Sequence, residues 1–330
     1  MRELPEGSIS FAEAAKRYLA WREQLFAVNT LKNDRSALNR FQKAVGEGWH
    51  LDEITPEVGS ASLQYVRGTV AATTANQHYS TMQAFWKWCI DEELVPLNFN
   101  PFRNQRYLKV QKKEYERLHR HEFRPFIEAI RRPEDRILCS VGLYLCVRAN
   151  EVCRMRLKDV KLEAGWADVI ISKSYDADTM PIPNELDSDL RQWLTHYTSM
   201  VGPLDPEMKL IPSPESNGHY MKYRPYRSPA RPERTVHRAA EDYGIELPKG
   251  QGAHYLRRSG ARAWFDDLCE QGIDGALRTV SAHLHHADTS TTETYLGVSG
   301  DRARRNQLLH RRNMFPAAET NNVVYLQEAK

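Results

Sequence analysis

The stretch PFRNQRYLKVQKKEYERLHR, residues 101–120, constrains this chain more than any other. It holds seven basic and two acidic side chains and too few apolar ones to bury itself, so it is expected to run across a surface. On either side of it the apolar periodicity of helices starts afresh. A chain of 330 residues is also long for one compact core. The expected organisation is a helical domain over residues 1–101, a basic linker over 102–120, a second domain over 121–300 and a C-terminal arm over 301–330.

The first domain reads as four helices. Ser10 and Glu13 form a capping box ahead of Phe11, Ala14, Ala15, Tyr18 and Leu19 at helical spacing. Thr30 is placed to cap a second helix carrying Leu31, Leu38 and Phe41. Thr55-Pro56 opens a third, with proline at its first position. Thr73 or Thr74 opens a fourth, where Met82, Phe85, Trp86, Cys89 and Ile90 make one broad apolar face. Trp86 and Trp88 read as core residues, not as base-stacking ones.

Beyond the linker, HEFRPFIEAI and EDRILCSVGLYLC read as helices, and NEVCRMRL as a short one capped by Asn150. ADVIISK alternates and is β-branched, so a strand is expected there. Asp176 to Asp178 supply a turn and TMPIP the returning strand. Residues 184–197 look helical. Residues 202–232, rich in Pro and Arg, show no period and read as a long loop. VHRAAEDYG is a helix ended by Gly244, AHYLRRSGARAWFDDL is another, and IDGALRTVSAHL and TSTTETYL are the last two, stopped by Gly297. The fold class is mainly α with a small antiparallel β-sheet.

Composition narrows the partners. No run of 18 apolar residues exists, so no membrane span is expected, and MRELPEGSIS lacks the apolar core of a secretory signal. The five cysteines form no C-x-x-C pair and read as reduced thiols of a cytoplasmic protein. Net charge is only +3, but it is unevenly spread: residues 222–238 hold six basic and one acidic side chain, and residues 301–312 five and one. With the linker this makes three basic strips, the pattern a long polyanion meets, although any one strip alone is equally a solvated loop.

Four short segments carry chemistry, each weak by itself. His254 and Arg257, three apart near a helix start, share one face and can converge on a phosphate-like group, or are simply a surface pair. Arg148 follows the apolar GLYLCV and needs an anionic partner, which a structural ion pair with Glu151 also provides. Lys173 lies where a strand enters a hairpin, in a cleft or in solvent. His283, His285 and His286 precede Tyr295, which lies nine residues after His286. They read as a metal cluster, as acid/base partners of a nucleophile or as packing residues, and no cysteine or acidic ligand set accompanies them.

Taken in order, these segments resemble the catalytic domain of the tyrosine recombinases, the phage-integrase family. VRANEVCRMRLKDV resembles the family's first arginine box, at Arg148 and Glu151. ISKSYDADTMPIP resembles the hairpin bearing the family's lysine, at Lys173. HYLRRSGARAWF resembles the His-x-x-Arg box, at His254 and Arg257, and LHHADTSTTETYL the closing His and Tyr, at His286 and Tyr295. Residues 9–101, ending in Asn100-Pro101, resemble the family's helical core-binding domain. Two positions depart from the pattern: the glycine before the histidine is His285 here, and the Gly-Leu before the arginine is Cys146-Val147.

The resemblance implies a helical core-binding domain followed by an α+β catalytic domain, and a site-specific recombinase that cleaves and rejoins DNA through a 3′-phosphotyrosine, with no metal, ATP or other cofactor. It implies Tyr295 as nucleophile, Arg148 and Arg257 as phosphate ligands, Lys173 as acid for the leaving 5′-oxygen, His254 as acid/base, His286 as a donor to the phosphate and Glu151 in support. Arg103, Arg106, Lys109, Lys112, Lys113, Lys222, Arg224 and Arg227 are then candidate DNA contacts. The implied partners are double-stranded DNA, further copies of the chain in a tetrameric synapse, and accessory directionality or bending proteins, near the nucleoid of a bacterial or phage-infected cell. A compact integrase or a simple recombinase is expected, since no arm-binding domain precedes residue 9, with a cellular Xer-type resolvase as the other role, and the C-terminal arm is a candidate for packing on a neighbouring subunit. The alternatives are a type IB topoisomerase-like nicking-closing enzyme and a non-catalytic DNA-binding protein of the same fold.

Overall fold

A computed structural model describes residues 9–46, 48–110, 116–171, 176–216, 221–248, 250–298 and 310. Lys112, Lys113, Lys173 and the C-terminal arm with NNVVYL lie outside them. The chain forms two compact units, Met1–Lys113 and Glu114–Lys330.

Among the described residues the first unit has four α-helices: α1 (Phe11–Glu23), α2 (Val28–Val45), α3 (Pro56–Thr69) and α4 (Ala72–Asp91). The Ser10 hydroxyl accepts from the Glu13 N–H at 3.2 Å and Thr55 caps Pro56–Thr69, both as expected. The other two starts differ. α2 begins at Val28 after Ala27, and α4 at Ala72 after Ala71, each without a side-chain cap; Thr30, Thr73 and Thr74 lie inside the first turns. Packing of the apolar faces sets these starts, since tertiary burial contributes more to helix stability than one cap. The core is aromatic: Phe11, Tyr18, Phe41, Phe85, Trp86 and Trp88 are buried, the two tryptophans as expected. Phe102, first residue of the expected linker, is fully buried among them. From there residues 103–110 lie along the unit, with Asn76 Nδ2 donating to the Leu108 carbonyl at 2.9 Å and Tyr79 Oη to Gln105 at 2.9 Å.

The second unit starts with Leu118 buried, its N–H donating to Ser259 Oγ at 2.9 Å. Then come α5 (Phe123–Ala129), α6 (Pro133–Tyr144), α7 (Ala149–Val152), α8 (Asn184–Val201), α9 (Pro232–Asp242), α10 (Gly252–Glu270), α11 (Ala276–His283) and α12 (Thr289–Leu296). α6 is the central helix, buried nearly all round and packed by α8, α9 and α10. A three-stranded antiparallel sheet joins β1 (Val160–Lys161), β2 (Trp166–Ile170) and β3 (Ala177–Pro181), with Val169 opposite Asp178. β3 starts earlier than expected, because Asp178 takes a ladder position and not a turn position. Residues 202–232 are not all loop. β4 (Ser213–Ser216) and β5 (Met221–Arg224) form a separate hairpin, and Tyr223 inserts beneath Trp193 and Tyr197. Among the described residues the sheets are therefore two, in a mainly helical fold of the expected class.

Candidate active site

Two helix ends build the site. α6 runs into Cys146 with φ +54° and α11 into His285 with φ +53°, left-handed conformations that favour glycine. At the second end the His285 N–H donates to the Ala282 carbonyl at 2.9 Å and the His286 N–H to the Ser281 carbonyl at 3.0 Å, a complete Schellman pair. The reversals deliver two backbone carbonyls to one guanidinium. Arg257, on α10 and only 2% exposed, donates from Nη1 to Cys146 O at 2.6 Å and from Nη2 to Leu284 O at 2.5 Å. Three of its five N–H groups are left over from these two bonds. α10 approaches the end of α6 through Gly260, where a Cβ would fall 1.8 Å from Leu143 O.

Arg148 is the N-cap residue of α7, in place of the expected Asn150. Glu151, one turn on and 1% exposed, accepts the Arg148 N–H at 2.7 Å and Nη1 at 2.8 Å, and lies 3.9 Å from Arg257 Nη1. One buried carboxylate therefore sits between two guanidiniums and offsets their mutual repulsion. The structural ion pair with Glu151 expected as one reading of Arg148 is present.

Tyr295 sits on α12, which Asp288 caps and Gly297 ends. Its ring lies edge-on to His286 at 5.5 Å and to His254 at 6.4 Å, and its hydroxyl donates to the His254 carbonyl at 3.4 Å. His286 Nδ1 meets Thr292 Oγ1 at 2.9 Å, and Thr292, fully buried, donates on to Ser281 Oγ at 3.0 Å. With its hydroxyl proton used there, Thr292 accepts from Nδ1 and holds the ring. Burial pushes the Tyr295 phenol above its usual range, against the pull of Arg257 and Arg258. Burial lowers His254, and nearby Glu233 opposes that shift.

Arg148, Arg257 and His254 line one cleft of about 520 Å³ together with Asn150, Arg231 and Arg234. Arg231 and Arg234 were not singled out in the sequence, though Arg-Pro-Glu-Arg at a proline-led helix start placed them at a candidate anion site. Of the expected DNA contacts, Arg103, Arg106, Lys109, Lys222, Arg224 and Arg227 are exposed, and Arg224 pairs across its hairpin with Glu215 at 2.5 Å. In the first unit, Lys32, Arg35, Arg40 and Lys43 line a second cleft, again about 520 Å³, with Ser36 and Asn39. Their spacing is one helix face, a signal hidden by the acidic balance of the first hundred residues.

The three clustered histidines go separate ways. His286 faces Tyr295, His285 Nε2 reaches Asp178 Oδ2 at 2.7 Å, and burial pulls His283 down to about 4. Among the described residues no three His, Cys, Asp or Glu side chains are grouped to hold a metal, and no helix is long and apolar enough to cross a membrane.

Known proteins resemble this chain in sequence and in fold. The chain is 28% identical over 195 residues to the tyrosine recombinase XerA of Pyrococcus furiosus, covering 58% of this chain and 60% of that protein. It is 26% identical over 305 residues to the tyrosine recombinase XerD of Ralstonia nicotianae, covering 89% and 92%. The fold matches a lambda integrase dimer bound to a COC′ core site with TM-score 0.67 at 18% identity, over 89% of this chain and 79% of that one. It also matches XerH recombinase bound to a palindromic difH substrate with TM-score 0.63 at 18% identity, over 86% and 79%. The family model described as the phage integrase family matches residues 111–301, more than half of the chain, and the chain belongs to that family.

Proposed function

We propose that this protein is a site-specific DNA recombinase that cleaves and rejoins DNA through a phosphotyrosine at Tyr295. The observation that carries the reading is the meeting, over 147 residues of sequence, of the Arg148–Glu151–Arg257 triad with a phenol flanked by His254 and His286. The two guanidiniums present paired donors to non-bridging phosphate oxygens, which collect charge in the transition state. Tyr295 Oη attacks phosphorus and passes its proton towards His254. The P–O5′ bond breaks, and the departing oxygen takes a proton from Lys173. Since Nδ1 of His286 is committed to Thr292, donation from its Nε2 to phosphate needs the imidazolium, which a bound phosphate anion favours. The adduct keeps the energy of the broken diester, and attack by a 5′-hydroxyl reverses each step, so no cofactor is called for.

The basic cleft of the first unit, the strip at residues 103–109 and the cleft arginines Arg231 and Arg234 are the proposed DNA contacts. They act on the backbone and set salt dependence. Several copies on two duplexes are the proposed working assembly, since strand exchange joins four ends.

The test begins with DNA selected by the Tyr295→Phe protein. A nicked duplex of the selected sequence, incubated with wild-type protein, is expected to give a denaturant-stable protein–DNA adduct, and Tyr295→Phe none. Failure of the wild-type protein to form an adduct on DNA that it binds tightly would refute the reading. Relaxation of supercoiled DNA lacking the site, as fast as DNA carrying it, would instead favour a topoisomerase.

A further inference from the structure

His285 occupies a position whose backbone suits glycine, yet it carries a large side chain with a specific destination. Its Nε2 lies 2.7 Å from Asp178 Oδ2 on β3, 107 residues away in sequence. A carboxylate only accepts, so Nε2 donates. The other nitrogen, Nδ1, is buried with no partner among the described residues. A side chain serving only to fill space at a helix end has no need of such a bond. The left-handed conformation persists because the surroundings hold it, and Asp178 is one of the groups holding it.

What the bond joins is informative. On one side is the α11–α12 turn, which presents Leu284 O to Arg257 and fixes His286. On the other is the β2–β3 hairpin, where Asp178 pairs with Val169 and the Ile171 N–H donates to Asp176 O at 2.9 Å. Lys173 lies in sequence between Ile171 and Asp176. Asp178 is 46% exposed at its side chain and His285 20%, so the bond is not an incidental product of deep packing.

We propose that His285 and Asp178 form a latch fixing the β2–β3 hairpin to the α11–α12 turn, which makes both positioning residues for protonation of the leaving 5′-oxygen. This rests on the reading of Lys173 as the acid. The latch takes no part in bond changes: Tyr295 Oη–P forms, P–O5′ breaks, and O5′ receives its proton from Lys173.

The experiment uses the full-length protein and the selected nicked DNA in two versions, with O5′ or with sulfur in its place. A sulfur leaving group departs as a thiolate and needs no acid. His285→Gly, Asp178→Ala and the double variant are each expected to slow oxygen-substrate cleavage about ten- to a hundredfold, to the same extent and with DNA affinity unchanged. Losses that do not add mark one shared interaction. On the sulfur substrate all three, like Lys173→Ala, are expected to cleave within about twofold of wild type. The latch is overturned if His285→Gly cleaves the oxygen substrate normally, if the losses add, or if sulfur restores Lys173→Ala but not the latch variants. If sulfur fails to restore Lys173→Ala, the assignment of Lys173 itself falls, and the positioning role falls with it.

Discussion

The ends of α6 and α11 use one backbone device and put their side chains to different uses. Each passes through a left-handed non-glycine residue and offers a carbonyl to Arg257. At the first, the Cys146 side chain turns inward, fully buried, with its thiol pushed up to about 12 by burial. At the second, His285 reaches out to a different element. The backbone alone thus positions the arginine, and the side chain at the reversal is available for something else. Glycine, expected at both points from the family resemblance, would satisfy the backbone and forgo that second use.

Removing the group both turns serve should have the largest effect. Arg257→Ala leaves the Cys146 and Leu284 carbonyls without their donor and Glu151 with one cation fewer. Loss of one preorganised phosphate donor costs on the order of 10²–10³ in rate, and an unsatisfied buried carbonyl about 1–3 kcal/mol. Adduct formation is expected to fall by at least that factor and the melting temperature by several degrees. Arg257→Lys supplies charge without a fork, and is expected to recover little of either. An Arg257→Lys protein melting like wild type would show that the bridge between the two carbonyls does not hold the turns together.

How much of this was legible follows the same division. Helix faces such as Phe11–Tyr18 and Met82–Ile90 were readable because apolar spacing reports burial directly. Ala27 and Ala71 were not readable as helix starts, because nothing in an alanine side chain marks a cap. β4 and β5 were missed because four-residue strands containing Pro214 and followed by Pro225 show no alternation. Arg148, Glu151, His254, Arg257, His286 and Tyr295 were legible as separate motifs, and only the order of the motifs joined them. Their meeting is tertiary: no spacing rule brings Cys146 O and Leu284 O to one guanidinium. The two departures from the glycine pattern looked like blemishes in the sequence, and in the fold they mark the two reversals.

Acid should separate the turns. His283 closes α11, and its Nε2 is buried. Burial holds its folded-state pKa at about 4, below the ordinary value near 6.5. The unfolded chain therefore binds the proton first. Stability from this group is complete above about 6.5 and is lost as pH falls towards 4, at up to about 1.4 kcal/mol per pH unit for one proton. Urea titrations between pH 7 and pH 4 are expected to show that slope, reduced in His283→Gln, which does not titrate. An identical slope in the two proteins would mean that this imidazole does not titrate on unfolding.

The smallest effect tests the comparison most directly. At a left-handed position alanine keeps the backbone penalty, about 1–2 kcal/mol, and glycine removes it. Cys146→Gly should therefore be more stable than Cys146→Ala by about 1 kcal/mol, the reverse of their order inside a helix. The same difference is expected between His285→Gly and His285→Ala, since the backbone angles are alike. Measured against wild type, the two sites should part. Cys146→Gly loses a fully buried thiol and should be near neutral or slightly destabilised, strain relief offsetting lost packing. His285→Gly loses only a partly exposed bond, worth little in stability, and should equal or exceed wild type in denaturant midpoint. A His285→Gly protein distinctly less stable than wild type would make the histidine a structural prop of its turn, and the two reversals would then differ in degree, not in kind.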